Sequence, residues 1–405
     1  MAIAGEITLK PGKERSLLRR HPWIYDTAID RVKGSPATGA TVTVRSHEGR
    51  WLAWAAYSPA STLRARCWSF VESHAIDADW LATRVREAVA RRRHLEAASD
   101  ALRLVFGEAD GLPGLVADRY GEYLVVQFQA AGVEAQREIL LDALLAATGC
   151  AGIYDRSDSA GRQREGLPPT QGPVRGTEPP PRIAIREHGR HFQVDVRAGH
   201  KTGFYIDQRD NRRLAATLAA RAVAGGNAAD ALNCFCYTGA FSVALAAGGA
   251  RSVLSIDSSA EALAVAQENW ALNGLSAAAG QWRAANVFEA LRALRAEGGD
   301  FDLIVLDPPK FASSHHHVDR AARAYKDINL GALRLLRPGG HLLTFSCSGA
   351  IGVDLFQKIV AGAVIDAGVE TQMLGRLAAG EDHPLRMTHP EGEYLKGLLL
   401  QRVPA

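Results

Sequence analysis

Cysteine is scarce and unpatterned here: Cys67, Cys150, Cys234, Cys236 and Cys347 are the 5 in 405 residues. No even, regularly spaced framework emerges, which argues against a disulfide scaffold and predicts a reducing, cytoplasmic setting. Cys234-x-Cys236 has no second pair at zinc-ligand spacing, so no metal is expected. No apolar run approaches the roughly 18 residues of a membrane helix, and the first residues lack a signal-peptide pattern. The chain is therefore expected to be soluble and intracellular, with no membrane partner. Charge of one sign is not in excess either. Lys and Arg number 47 against 44 Asp and Glu, a net charge of +3, so a basic surface for nucleic acid must be local. With 22% charged and 47% hydrophobic residues, large cores can form and disorder is not expected to dominate.

One more absence is informative. Gly-x-Gly-x-x-Gly, the loop that lets a backbone approach a pyrophosphate, is missing. In its place stands Asn233-Cys-Phe-Cys-Tyr-Thr-Gly239, after the apolar run from Asp230 and before a helical pattern from Ala240 to Ala247. Two further runs, Val253-Leu-Ser-Ile-Asp257 and Phe301-Asp-Leu-Ile-Val-Leu-Asp307, each end in a carboxylate. Such runs read as parallel strands buried on both faces, whose carboxyl ends collect ligands. Asp257 lies 18 positions after Gly239, close to the spacing at which an acidic residue reaches a ribose hydroxyl. A nucleoside-containing cofactor follows, and the bulky turn suits one without phosphates, such as S-adenosylmethionine.

The chain is long enough for two or three domains. The fold class is α/β. Residues 1–72 read as a small β-rich domain, 73–190 as a middle α/β domain, and 191–405 as a Rossmann-like domain with continuing βαβ alternation. In the first, Lys13-Glu-Arg-Ser-Leu-Leu-Arg-Arg-His-Pro-Trp23 sets cations beside an aromatic. Cations contact phosphates without reading sequence, so Arg19 and Arg20 are candidate RNA contacts, whereas Trp23 reads as core. A helix is expected from about Ile76 to Ser99, a long surface loop over 157–181, and a β-hairpin turning at His188-Gly189. Asp207 is a candidate N-cap for a helix from Gln208 to about Ala222. Helices are also expected over Glu261 to Asn273 and Tyr325 to Leu336.

These residues resemble a known family. Gly203-Phe-Tyr-Ile-Asp-Gln-Arg-Asp-Asn-Arg212, Phe235-Cys-Tyr-Thr-Gly-Ala-Phe241, Asp307-Pro-Pro-Lys-Phe311, Tyr325-Lys-Asp-Ile-Asn329, Leu343-Thr-Phe-Ser-Cys-Ser-Gly349 and Pro390-Glu-Gly-Glu-Tyr-Leu-Lys-Gly397 carry the likeness. They are similar to class I methyltransferases that make 5-methylcytosine in large-subunit (23S) ribosomal RNA. Bacterial members carry an N-terminal PUA RNA-binding domain, which Leu9-Lys-Pro-Gly-Lys13 and Leu17-Leu-Arg-Arg-His-Pro-Trp23 resemble. The resemblance implies 23S ribosomal RNA as partner and S-adenosylmethionine as cofactor; a second copy of the chain stays open as a further partner.

Carbon 5 of cytosine is a poor nucleophile until a thiolate adds at carbon 6 and makes the ring an enamine, which is covalent catalysis. The residues alone leave Cys347 open between this role and an inert thiol at a strand end; the resemblance favours the nucleophile, in a polar setting. Asp307 would hydrogen-bond the base and stabilise charge formed as the thiolate adds. The resemblance further implies Asp257 at the ribose and Asn286 at the adenine edge with Phe288 beside the ring. Asn233, Phe235, Tyr237, Thr238 and Gly239 would surround the methionine portion, with a lid from Phe204 to Gln208. Many members have Asp where Asn286 stands, which leaves the geometry of that contact open. Lys310 stays undecided between holding a phosphate or carboxylate and lying at the surface, and Phe311 reads as packing. The wider RNA cytosine-5 enzymes often carry a second Cys after the motif proline; here Lys310 stands there, so one thiol must suffice and the base taking the carbon 5 proton is unassigned. His315 to His317 read as a loop rather than a metal site. Two competing readings remain: a methyltransferase acting on a guanine nitrogen without a thiol, and an RNA-binding module that retains the cofactor fold without activity.

Overall fold

A computed structural model gives the fold and describes residues 4–226, 228–312 and 317–404. The chain forms two compact units. One comprises Met1–Arg186, Val194–Ile206 and Glu381–Gly392; the other comprises Glu187–Gln193, Asp207–Gly380 and Glu393–Ala405.

The first unit carries two sheets. Strands β1 (Glu6–Leu9), β2 (Trp23–Ile24), β3 (Ile29–Lys33), β4 (Thr41–Arg45), β5 (Trp51–Tyr57) and β6 (Ala65–Ser69) form a sheet in the order β2-β6-β5-β4-β1-β3, with a short helix α1 (Arg15–Leu18) after β1. Helix α2 (Ala78–Ala90) opens on Asp77, whose carboxylate accepts the Trp80 N–H. Then come β7 (Ala101–Phe106), β8 (Leu115–Tyr120), β9 (Tyr123–Phe128), α3 (Ala131–Ala135), α4 (Arg137–Thr148), β10 (Gly152–Ser157), α5 (Ala160–Gln163) and β11 (Thr170–Gly176). Their sheet runs β11-β10-β9-β8-β7, and Leu81 and Val85 of α2 join Leu140 and Leu144 of α4 in the core against it.

Two expectations need correction in this unit. Helix α2 stops at Ala90 rather than near Ser99, because Arg92 turns inward. Its buried guanidinium makes a two-pronged pair with Asp110, at 2.7 and 2.8 Å, and also donates to the Ala88 and Asp382 carbonyls. A buried ion pair holds only when its remaining groups are satisfied, and this one fixes the chain path. The stretch 157–181 is not a structureless loop either. It contains α5 and β11, which pairs antiparallel with β10. Arg162, fully buried, ties the segment down by donating to the Phe128 and Pro168 carbonyls and to Glu134.

Strands β12 (Ile183–Glu187) and β13 (Arg190–Val194) bracket His188 and Gly189, whose φ of 49° and 77° suits a two-residue tight turn.

The second unit holds α6 (Arg209–Ala224), β14 (Asp230–Cys234), α7 (Ala240–Ala247), β15 (Ser252–Asp257), α8 (Ala260–Leu272), β16 (Gly280–Ala284), α9 (Val287–Ala296), β17 (Phe301–Leu306), α10 (Val318–Leu335), β18 (Leu336–Ser346), α11 (Val353–Ala367), β19 (Thr371–Ala378) and β20 (Lys396–Arg402). Its seven-stranded sheet has the order β16-β15-β14-β17-β18-β20-β19. Strands β14 to β18 pair in parallel, while β20 runs antiparallel to both β18 and β19. Leu303, Ile304, Val305 and Leu306 have no exposed surface, as a continuous apolar run in a covered parallel strand requires. Helix α10 lays Ala321, Tyr325, Ile328, Ala332 and Leu335 on one buried face at three- and four-residue spacing. Each large aliphatic buried there contributes roughly 1.5–3 kcal/mol. Asp207 is not the cap of α6. Gln208 holds that position without a side-chain cap bond, and the Asp207 carboxylate instead accepts the Tyr394 hydroxyl at 2.7 Å. No described helix is long and apolar enough to cross a membrane.

Candidate active site

Strand order reverses direction at β14: β15 and β16 continue to one side, β17 and β18 to the other. A crevice at the carboxyl ends of the strands is expected at such a switch point. The register brings the candidates together there. Cys234 pairs with Ile256 on one neighbour and with Leu306 on the other, so the loops after β14, β15 and β17 leave the sheet side by side.

The loop after β14 is tightly specified. Phe235 and Tyr237 sit in the left-handed region, with φ of 59° and 48°, and Gly239 follows at 79°. A Cβ on Gly239 would come within 2.8 Å of the Ala266 Cβ in α8, so both the backbone conformation and the close approach require glycine. Asn269 of α8 donates to the Thr238 carbonyl at 3.0 Å. The Tyr237 N–H donates to one oxygen of Asp257 and the Ser259 N–H to the other, both at 2.9 Å. These bonds aim the carboxylate while leaving it lone pairs for a diol. Asn286 caps α9, accepting the Phe288 N–H at 2.9 Å, and is exposed. Its oxygen is thus engaged by the cap, and its amide nitrogen carries two donors. The Phe288 ring packs 5.9 Å from Phe311, which in turn lies 4.8 Å from Tyr325, so Phe311 packs.

Across the switch point, Asp307 follows β17 and Cys347 follows β18, the adjacent parallel strand. Both are half-buried. The Cys347 Sγ lies 3.8 Å from the Pro308 carbonyl, which sets the thiol against the turn that carries Asp307. The other cysteines of this unit differ. Burial pushes the Cys234 thiol far up, and Cys236 is pushed up by burial and then by the Asp257 and Cys234 charges. Neither suits nucleophilic chemistry.

Phe204 belongs to the first unit, where its N–H donates to the Tyr120 hydroxyl, while Gln208 belongs to the second. Arg19 and Arg20 also lie in the first unit. Arg19 is exposed; Arg20 donates to the Phe70 carbonyl at 2.8 Å and stacks 5.3 Å over its ring. Trp23 is half-buried, with its indole N–H on Glu108. Lys310 is exposed. Lys326 and Asp327 form surface pairs with Asp366 and Arg292. His315 and His316 lie outside the described residues, among which no group of three metal-ligating side chains occurs.

Two further groups stand beside Cys347: Tyr325, which the sequence leaves undecided between the substrate side and a structural place, and Lys396, which the sequence reading missed. Tyr325, whose hydroxyl lies 3.0 Å from the Ser348 hydroxyl, is fully buried; burial raises its pKa, and the Cys347 charge adds to the shift. Lys396, first residue of β20, donates its ammonium to the Ser348 carbonyl at 2.8 Å. The only available sign was its place in the run Pro390 to Gly397.

Residues 156–371 match the family described as S-adenosylmethionine-dependent methyltransferase, and residues 7–70 match the PUA-like domain. A protein of Shewanella denitrificans named ribosomal RNA large subunit methyltransferase I is 49% identical over 98% of this chain and 99% of its own. Its namesake from Salmonella enteritidis is 47% identical over 96% of both chains. The chain belongs to this methyltransferase family. A crystal structure described as a methyltransferase complexed with SAH shares the fold, with a TM-score of 0.84 at 21% identity over 98% of this chain and 99% of that one. S-adenosylmethionine is therefore the methyltransferase's cofactor, and the second unit fits it. Asn233 is fully buried at the end of β14. Its amide donates to the Ser242 hydroxyl at 2.8 Å, but its oxygen has no hydrogen-bond partner among the described residues. The Gln208 amide nitrogen is likewise buried and unmatched among them. Orphaned buried polar atoms cost about 1–3 kcal/mol each unless a ligand satisfies them, as a polar cofactor does.

Proposed function

We propose that this methyltransferase transfers a methyl group from S-adenosylmethionine to carbon 5 of a cytosine in 23S ribosomal RNA, in the cytoplasm. The observation that carries the reading is the Cys347 thiol, 3.8 Å from the Pro308 carbonyl and next to the Asp307 turn. The names of the relatives support large-subunit ribosomal RNA as the substrate.

The bound cofactor supplies a methyl group on a sulfonium. Asp257 binds the ribose diol, Asn286 the adenine edge, and Phe288 one face of the ring. Asn233, Phe235, Tyr237, Thr238 and Gly239 enclose the amino-acid end, which Gln208 of the same unit helps to hold. The thiolate of Cys347 forms a carbon–sulfur bond at carbon 6 of the cytosine, and the displaced electron pair makes carbon 5 nucleophilic. Asp307 holds the ring nitrogen and amino group while that charge develops. After methylation the carbon 5 proton leaves, the pair returns to the ring, and the carbon–sulfur bond breaks to regenerate the thiolate. Arg19, Arg20 and Lys310 contact RNA phosphates, a term that positions without reading sequence.

The test is methyl transfer to 23S ribosomal RNA by the wild type and by Cys347→Ala. Loss of at least about a thousandfold in rate is expected for a unit that acts covalently. RNA containing 5-fluorocytosine should be trapped as an adduct by the wild type alone. Methylation by Cys347→Ala at the wild-type rate would sink the thiol mechanism and leave nitrogen methylation as the reading.

A further inference from the structure

Lysine is almost never found fully buried without a partner, yet Lys396 is 4% exposed. Its place is set by topology. Strand β20 runs antiparallel to β18, so its first residue, not its last, reaches the edge where the parallel strands end. There Lys396 pairs in register with Ser346, one residue before Cys347, and its ammonium bonds the carbonyl of Ser348, one residue after. The backbone of residue 396 is thus laid against one side of the thiol and its amine fastened to the carbonyl on the other. Nothing in the folding of β20 needs a cation at this point: Gly397 and Leu398, its neighbours, pack as ordinary core.

We propose that Lys396 is a positioning residue that holds the Cys347 side chain as the thiolate by placing a fixed ammonium beside it. The inference rests on the proposed thiol mechanism. The assisted step is ionisation of the Sγ–H: the sulfur keeps the electron pair, the proton leaves to solvent, and Lys396 stays protonated throughout. Burial lowers the Lys396 pKa, and the Cys347 charge raises it, so the two groups are electrostatically linked. Linkage is reciprocal, so what one charge gains from the other is gained by both. The other groups that bear on the pair are Tyr325 from α10, Asp307 and Lys310 from the turn after β17, and Glu393 before β20. Lys310 opposes the Lys396 charge and Glu393 supports it, and both are exposed, where solvent screens them. The Tyr325 hydroxyl stays neutral at the pH of ionisation, and burial holds it so. Removing Lys396 therefore takes away the one buried cation among the groups named.

The experiment is the pH dependence of iodoacetamide alkylation at Cys347, followed by mass spectrometry of its peptide in the full-length wild type, Lys396→Met and Lys396→Arg. An opposite charge within reach shifts a thiol by about 1–3 pH units. The midpoint should rise by at least about one unit in Lys396→Met and return toward the wild-type value in Lys396→Arg. The methylation pH profile should shift in the same direction. Equal midpoints in the three proteins would overturn the proposal. If Lys396→Met fails to fold, as judged by SAH binding, Lys396→Gln takes its place and is read by the same two outcomes. The alkylation readout needs no turnover. A Cys347→Ala enzyme that methylates normally therefore refutes the thiol mechanism without touching the alkylation result, and unshifted alkylation refutes Lys396 without touching the mechanism.

Discussion

Replacing Gly239 by Ala perturbs two things that the structure separates. The first is the backbone: at φ 79° an alanine sits in the left-handed region, which costs about 1–2 kcal/mol. The second is contact: the new Cβ lies 2.8 Å from the Ala266 Cβ, a clash with helix α8 that overpacks by about 1–3 kcal/mol. The single variant should lose roughly 2–5 kcal/mol on these two terms. Ala266→Gly alone should lose about 0.5–1 kcal/mol, the cost of glycine inside a helix. In the double variant the Cβ–Cβ clash is gone, because the next atom met is the Ala266 Cα at 3.3 Å, and the left-handed backbone cost and the helix glycine cost remain. A coupling of about 1–3 kcal/mol is expected, well beyond the roughly 0.5 kcal/mol scatter of independent sites. The assay is urea denaturation of the four proteins, read at the transition that added SAH shifts. SAH affinity should fall in Gly239→Ala and recover in part in the double variant, since the same loop carries Tyr237 and Thr238. Additive losses within about 0.5 kcal/mol would refute the packing argument.

Asp257→Asn exchanges an oxygen that accepts a backbone N–H for an amide that also donates, so one of the bonds from Tyr237 or Ser259 is lost. Bonds to charged groups are worth about 1.5–3 kcal/mol, so SAH should bind roughly 10- to 150-fold more weakly by calorimetry; an affinity within twofold of wild type would discount the carboxylate. Asp110 should matter through pH. Burial taken alone would raise its pKa, but Arg92, Arg91 and the Phe106 N–H outweigh that and hold it below the ordinary range. A lowered folded-state pKa contributes stability above the unfolded value of about 4 and loses it as pH falls through the folded value. Asp110→Asn should therefore destabilise at neutral pH, by about 3 kcal/mol for a half-removed buried pair, and flatten the acid limb below about pH 4 in thermal melts; an unchanged acid limb would contradict this.

The parts of this architecture that could be read directly were those governed by local pattern. Continuous apolar runs closed by polar residues marked β14, β15 and β17, and helix α7 falls at Ala240–Ala247 as its periodicity indicates. The parallel sheet then gathers the polar strand ends by itself, so Asp257, Asp307 and Cys347 meet at one edge. What escaped depended on partners far away in sequence. Strand β11 has no alternating apolar face, carries Pro173 and lies at a sheet edge, where pairing to β10 alone defines it. The end of α2 is decided by Arg92 meeting Asp110, and Asp207 is claimed by Tyr394 rather than by the helix it precedes. Lys396 stood out only as part of the run Pro390 to Gly397, because only the reversed direction of β20 brings it to Cys347's edge.

That reversed strand also bears on how the chain matures on a ribosome. A nascent chain that has emerged only as far as residue 395 already holds every parallel strand, yet β18 has an open flank and β19 has none of its sheet neighbours. The last stretch to arrive, 396–402, must be threaded between two elements made earlier. Such long-range closure is slow compared with local pairing. Until it happens the sheet offers an unpaired edge, which invites association with other chains. Synthesis thus leaves the strands that lead to Asp257 and Asp307 in place before the edge beside Cys347 is sealed.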